Sequence, residues 1–247
     1  MPELHASVAV VGAGDYIGAA IARRFAAEGY KVHGGRRQGD KLAALEADIA
    51  AAGGAFTGHT LDARDEAAIV AFLDAAEAEA PLELCIFNIG ANVNFPLLDT
   101  TERVFRKVWE MACYAGFLTG REAARRMLAH GRGSIFFTGA TASLRGGKNY
   151  AAFASAKAGL RALAQSMARE LAPQGIHVAH LVIDAGVDTA WVRERIASAR
   201  GAEAAASLPP DTLMDPASIA ETYWQLHRQP RDAWTHELDL RPYGETW

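Results

Sequence analysis

Val11-Gly12-Ala13-Gly14-Asp15-Tyr16-Ile17-Gly18 follows the apolar, β-rich run Ala6–Val11 and opens a helical pattern, Tyr16–Glu28, with Ile17, Ile21 and Phe25 on one stripe. Glycines between a strand and a helix have a defined use. Gly12 permits the tight turn, Gly14 lets backbone approach a pyrophosphate, and Gly18 lets the helix pack close on the strand. The helix start adds unpaired N–H groups and a partial positive charge, which suit phosphates. Asp15, Tyr16 and Ile17 complete the turn and count with the glycines as candidate cofactor-binding residues. The plainer alternative is a glycine turn that only closes a βα loop.

The same alternation runs outward along the chain. Lys31–Gly35 reads as a strand, Asp40–Ala52 as a helix stopped by Gly53-Gly54, and Ala55–Leu61 as a strand. Asp65–Glu79 reads as a helix ending before Pro81, and Glu83–Asn88 as a strand running into Gly90. Beyond a loop come a long helical stretch, Thr101–His130, a strand, Gly133–Thr138, a helix, Asn149–Leu171, and a strand, Ile176–Ile183. Asp188–Ala206 reads as helix, Pro209-Pro210 as a break, Asp215–His227 as a helix started by Asp215-Pro216, and Thr235–Leu240 as the last strand. Strands alternating with helices at this spacing imply right-handed βαβ units. The expected fold is therefore α/β and Rossmann-type, a doubly wound, seven-stranded parallel sheet with helices on both faces. Residues 1–247 read as one domain that includes a substrate-facing C-terminal region, since no linker, repeat or low-complexity tract divides them.

The end of the second strand bears on cofactor type. An acid there hydrogen-bonds the ribose hydroxyls of NAD, whereas an arginine accommodates the extra phosphate of NADP. This strand ends Gly34-Gly35-Arg36-Arg37, with no acid. The arginine fork suits a phosphate, so the expectation is NADP(H) in preference to NAD(H). The other reading of Arg36 and Arg37 is a pair of solvated loop charges.

Composition removes several function classes. The net charge is −4, from 25 basic and 29 acidic residues, so no basic excess exists to neutralise nucleic-acid phosphates. No apolar run is long enough to span a bilayer, and Met1–Ser7 lacks the pattern of a signal peptide. Cys85 and Cys113 form no disulfide framework, which leads to the expectation of a reducing, cytoplasmic setting. The histidines show no metal-ligand spacing. His177 and His180, three apart on one strand, face opposite sides. Trp191, Trp224, Trp234 and Trp247 crowd the C-terminal third and read chiefly as packing or interface residues, with a pocket wall as the alternative.

Several ordered features together resemble the short-chain dehydrogenase/reductase family over nearly the whole chain. They are Gly12/Gly14/Gly18, Asp62 after the third strand, Asn88-Ile89-Gly90 after the fourth, Phe153-Ala-Ser-Ala-Lys157 on a helix, and Val187-Asp188-Thr189 after the sixth strand. The resemblance implies that Asp62 contacts adenine, that Asn88 steadies the central strand and lines the adenosine side, that Gly90 is among the cofactor-binding residues, and that Val187 and Thr189 touch the nicotinamide carboxamide. It further implies that Lys157 holds the nicotinamide ribose, and that a homodimer or homotetramer forms through the two long central helices. The departures are large. Tyr16 stands at the second glycine of the usual turn, and Asp184-Ala185 stand where Pro-Gly is usual. Cys113, Ala140 and Phe153 stand at the usual catalytic asparagine, serine and tyrosine. The chain thus resembles a minor subgroup that carries phenylalanine for the tyrosine and keeps the lysine.

Phenylalanine has no transferable proton, so another donor is needed. Tyr150 lies seven residues before Lys157, on the same helical face, a spacing similar to that of enoyl-thioester reductases in the superfamily. Thr141, one residue past the lost serine position, is a second candidate. The expectation is an NADP(H)-dependent oxidoreductase acting on a small molecule, a carbonyl or an α,β-unsaturated carbonyl or thioester. The alternative is a catalytically silent NADP(H)-binding sensor or structural subunit.

Overall fold

Strands that are apolar throughout, rather than alternating, belong in the middle of a parallel sheet covered on both faces. In the computed structural model, which describes residues 5–245, β1 (Ser7–Val11) and β6 (Ile176–Ile183) are buried at every position. With β2 (Lys31–Arg36), β3 (Ala55–Thr60), β4 (Leu82–Phe87), β5 (Gly133–Thr138) and β7 (Glu237–Leu240) they form one sheet, ordered β3-β2-β1-β4-β5-β6-β7. Every pairing is parallel. The chain winds outward from β1 to β3 on one side and from β4 to β7 on the other. The crevice beyond the ends of β1 and β4 is therefore the topological switch point, where such sheets bind ligands.

Two helical layers cover the sheet. On one face lie α1 (Ile17–Ala27) and α2 (Ala43–Ala51). On the other lies α3 (Glu66–Glu79), started by the Asp65 side chain, which accepts from the N–H groups of Ala67 and Ala68. Then come α4 (Glu102–Trp109), α5 (Ala115–His130), the single turn α6 (Thr141–Leu144) and α7 (Ala151–Leu171). The surface helices α8 (Ala190–Arg200) and α9 (Ala202–Ala206) follow, and α10 (Pro216–His227) packs back on α1. Period-2 alternation along β1 sends Val8 and Val10 to the α1/α10 core, and Ala9 and Val11 to the α3/α5/α7 core.

Three departures from the sequence reading have local causes. A π-helical turn, Glu110–Tyr114, interrupts 101–130 between α4 and α5 and puts Ala112 and Cys113 in the interior. Gly201, at φ +96°, splits 188–206 into two helices. Asn149, at φ +70°, turns the chain before α7, so that helix starts two residues later than the pattern implied. Trp224 and Trp234 are packing residues: Trp224 lies 5.5 Å from the Phe25 ring, and Trp234 stacks on His177 at 4.9 Å. Trp247 lies outside the described residues.

Phe25 fastens α1 to α10. It is fully buried, with Tyr30 and His227 at 5.8 and 5.7 Å around it in edge-on geometry as well as Trp224. Truncation there leaves a cavity with no small side chain to fill it. We expect Phe25→Ala to lower unfolding free energy by about 3–5 kcal/mol, read from urea denaturation at constant m-value.

Candidate active site

The glycine turn is shaped by close approach. Gly12 has φ +95°, and a Cβ there would lie 2.7 Å from the Asn88 carbonyl oxygen. A Cβ on Gly18 would lie 2.4 Å from the Gly12 carbonyl oxygen, so α1 can press on the turn only with glycine at that position. Asn88 completes the joint: its side-chain amide donates to the Gly12 carbonyl at 3.1 Å, and its backbone N–H donates to that of Val11 at 2.8 Å. At Gly14 and Gly90, by contrast, a Cβ would meet nothing within 4 Å. Those two positions open on a cleft of about 1020 Å³ on the α6–α8 side and one of about 540 Å³ toward the end of β2. The two share Gly12, Gly14, Asn88, Ile89 and Gly90 in their walls, so they form one groove across the start of α1. A groove with a bare backbone floor at a helix N-terminus fits a dinucleotide pyrophosphate.

The smaller compartment is rich in arginine. Arg36, Arg37, Asp62 and Arg64 line it. Arg36 donates to the Asp15 carboxylate at 2.5 Å, whereas Arg37 is exposed. Arg64 grips Asp62 through two parallel bonds, Nε to Oδ1 at 2.9 Å and Nη2 to Oδ2 at 2.5 Å. Those bonds hold the Asp62 carboxyl below its ordinary range despite partial burial. Arg64 escaped the sequence reading. The Asp-x-Arg spacing at 62–64 was its only signal.

In the larger cleft the expected lysine is tied down. Lys157 is buried on α7, and its Nζ donates to the carbonyls of Ile89 at 3.1 Å and Thr138 at 2.8 Å. Burial pushes its pKa down to about 8, against a small opposing effect of Cys113. An ammonium has three donors, so one is left for a ligand. Phe153 and Ala140 line the cleft without any polar group, and Thr141 lines it at the start of α6. Cys113 is buried, and burial raises its thiol pKa. Ser143 and Thr138 are hydrogen-bonded within the protein: Ser143 Oγ accepts from the Ala140 N–H at 3.1 Å, and Thr138 Oγ1 and the Tyr223 hydroxyl bond to each other at 2.6 Å.

The outer wall comes from α8 and its approach. Val187 and Thr189 line the cleft, and the Thr189 hydroxyl caps α8 by accepting from the Val192 N–H at 3.1 Å. Tyr16 and Ile17 line it opposite, and the Tyr16 hydroxyl accepts from the Ala190 N–H at 3.0 Å, bridging the glycine turn to α8. Tyr150 stands just before α7, in the same cleft. Its hydroxyl accepts from Arg195 Nη2 at 2.7 Å. Burial favours the neutral phenol, but the bonds from Arg195 and Asn94 and the Arg195 charge together bring its pKa below the ordinary value. Sequence reasoning missed Arg195 because it lies 45 residues from Tyr150. Lys157 and Tyr150 face one cleft, yet the lysine bonds to carbonyls and the phenol to an arginine.

Among the described residues, no cluster of metal-ligating side chains could hold an ion, and no helix is long and apolar enough to cross a membrane. The short chain dehydrogenase family model matches residues 6–199. A crystal structure of a short-chain dehydrogenase from Rhodopseudomonas palustris is 60% identical, covers 97% of this chain and 100% of that one, and superposes with a TM-score of 0.83. The 3-oxoacyl-[acyl-carrier-protein] reductase MabA of Mycobacterium avium is 34% identical over 190 residues, 76% of this chain and 69% of that one. A metagenomic short-chain oxidoreductase solved in complex with NADP is 27% identical, covers 96% of this chain and 97% of that one, and has a TM-score of 0.79. The family match spans the glycine turn, strands β1 to β6 and the lysine of α7, and the chain belongs to the short-chain dehydrogenase family of oxidoreductases.

Proposed function

We propose that this protein is an NADP(H)-dependent oxidoreductase of a carbonyl or an α,β-unsaturated carbonyl or thioester, with Tyr150 as the proton donor in place of the residue at 153. The observation that carries this reading is the Tyr150 phenol, held by Arg195 in the cleft that also contains Lys157. On this reading Phe153, Ala140 and Cys113 mark a subgroup whose proton chemistry has moved one helical turn toward the start of α7. Residues 1–247 then work as one domain, with the segment from Val187 to Leu213 facing substrate.

The cofactor would be held by backbone at Gly12, Gly14 and Gly18 and by the start of α1, with Asp15, Tyr16 and Ile17 beside it. Arg36 and Arg37 would take the ribose phosphate, Asp62, Asn88 and Gly90 the adenosine side, and Val187 and Thr189 the carboxamide. Lys157 would give its remaining N–H to the nicotinamide ribose. When bound, the reduced nicotinamide supplies a hydride. The protein supplies a proton from Tyr150 Oη to the carbonyl or enolate oxygen, and Arg195 meets the negative charge left on the phenol. Thr141 is the nearest alternative donor by position. The three arginines of the smaller compartment support NADP over NAD, as does the NADP bound to the metagenomic relative. The reductase activity named for MabA supports a carbonyl thioester among the candidates. Exposed Phe105, Trp109 and Phe117 on α4 and α5 support a homodimer or homotetramer, and the free thiols of Cys85 and Cys113 suit the cytoplasm.

A second reading has its own support. Three apolar or inert side chains at the usual catalytic positions favour a silent NADP(H)-binding sensor or structural subunit.

Energy transfer from tryptophan to nicotinamide separates these readings in steps. NADPH should bind roughly tenfold or more tighter than NADH, the worth of one charge-assisted phosphate bond. Gly14→Ala should keep the thermal midpoint, because its Cβ meets open space, yet weaken NADPH binding by filling the groove floor. In steady-state assays over ketone, 3-oxoacyl and enoyl thioester substrates, Tyr150→Phe should lower kcat by about 10²–10⁴ at unchanged NADPH affinity. Tight NADPH binding with no turnover of any such substrate would favour the silent reading.

A further inference from the structure

In the usual arrangement a lysine assists the donor tyrosine. Here Lys157 cannot do so from where it stands, because its ammonium is turned into the carbonyls of Ile89 and Thr138 at the ends of β4 and β5. The cation that does touch the Tyr150 hydroxyl comes from a different element. Arg195 reaches across from α8 and donates from Nη2 at 2.7 Å. Its guanidinium also rests on the Trp191 ring, 5.5 Å from the centroid, one turn earlier on the same helix. Among the described residues no carboxylate pairs with Arg195, so its charge is not neutralised by an acid.

Among the described residues, no charged side chain other than Arg195 is hydrogen-bonded to the phenol. Asn94, in the loop after β4, is its other hydrogen-bond partner and is neutral. Arg145, from the segment after α6, is engaged with the buried Asp184 at 3.2 Å. Arg200 and Glu245 line the same cleft but make no bond to the phenol. No residue of α8 is buried, so this helix lies on the surface of the cleft. Hydrogen bonds from its first residue and from its middle connect it to the opposite walls: the Ala190 N–H to Tyr16, and Arg195 to Tyr150.

We propose that Arg195 is the positioning residue for Tyr150, supplying from α8 the positive charge that the family lysine supplies elsewhere, so that the donor is complete only while α8 lies across the cleft. This rests on the reading of Tyr150 as donor, but the charge relation can be measured without any substrate. A phenol hydrogen-bonded by a guanidinium ionises more easily, because the cation favours the phenolate. For reduction the protonated phenol is the active form, so rate should fall as pH rises through its ionisation. For oxidation the phenolate is the active form, and rate should rise over the same range.

The test is an ultraviolet titration of tyrosinate on the full-length protein, with the Tyr150→Phe trace subtracted to isolate one phenol. Arg195→Gln retains a hydrogen-bond donor and removes the charge. Arg195→Lys restores the charge. Thermal midpoints close to that of the parent show that both variants fold, as the exposure of Arg195 leads us to expect. The Tyr150 step should lie below that of an ordinary phenol, move up toward about 10 in Arg195→Gln, and return in Arg195→Lys. The alkaline limb of the kcat profile for reduction should move in parallel. An unmoved step in Arg195→Gln overturns the proposal even in an active enzyme. A moved step sustains it even if no substrate is turned over, and in that case it is the donor reading that fails.

Discussion

A buried ammonium must find its hydrogen bonds inside the protein, and Lys157 finds them at the carbonyls that end β4 and β5. Much of the cleft is organised by that requirement. Leaving a charge unpaired at that depth costs several kcal/mol, so the two carbonyls and the ammonium specify one another. The bond to Ile89 fixes the loop that also carries Asn88, and Asn88 in turn holds the carbonyl of Gly12. The bond to Thr138 fixes the turn that leads into Ala140 and Thr141. One side chain from α7 thus ties the floor of the groove to its inner wall. Phenylalanine at 153 is compatible with this, since it adds a buried ring and asks nothing of the ammonium.

The same tie explains why the polar chemistry of the cleft lies at its outer rim. Ala140 and Phe153 offer no proton, Cys113 is a buried thiol, and the hydroxyls of Ser143 and Thr138 are each committed within the protein. Polar groups that line the open cleft include Tyr150, Thr141, Tyr16, Thr189 and the arginines of the rim. The cost of a charge falls as its exposure to water rises, so a guanidinium is far easier to keep at the rim than a second cation beside Lys157. The distribution of polar groups follows the gradient of burial.

The fold was legible in the sequence because its signals are local. Ala6–Val11, Ile176–Ile183 and the glycine turn each declare themselves within a few residues, and seven such strands in alternation with helices leave little topological freedom. The elements that escaped are those set by single backbone angles or by packing. Gly201 divides one helical stretch and Asn149 delays the start of α7, both through positive φ, and the π turn at Glu110–Tyr114 packs against α7. Positions of the site were legible for the same reason as the fold. Gly12, Gly14 and Asn88 stand in the groove because turn and strand geometry put them there, and Lys157 because α7 carries it there. Partnerships were not legible. Arg64 with Asp62, Arg36 with Asp15 and Arg195 with Tyr150 depend on side-chain reach, and for the last two the sequence separation carries no periodicity.

That distinction bears on how an altered set of catalytic positions should be read. A motif records where the backbone places side chains, and three changed positions, 113, 140 and 153, say only that a buried thiol, a methyl and a phenyl ring stand there. They do not say that the cleft lacks one. On the proposed reading, a tyrosine one turn away, held by a cation from another helix, would meet the same electrostatic requirement from a different direction: an ionisable hydroxyl facing the cleft and a positive charge against it. The physical demand is on charge and distance, and sequence position enters only as one way of meeting it. In this chain the lysine bonds to carbonyls beside the sheet, and α8 brings the Arg195 guanidinium to the Tyr150 hydroxyl.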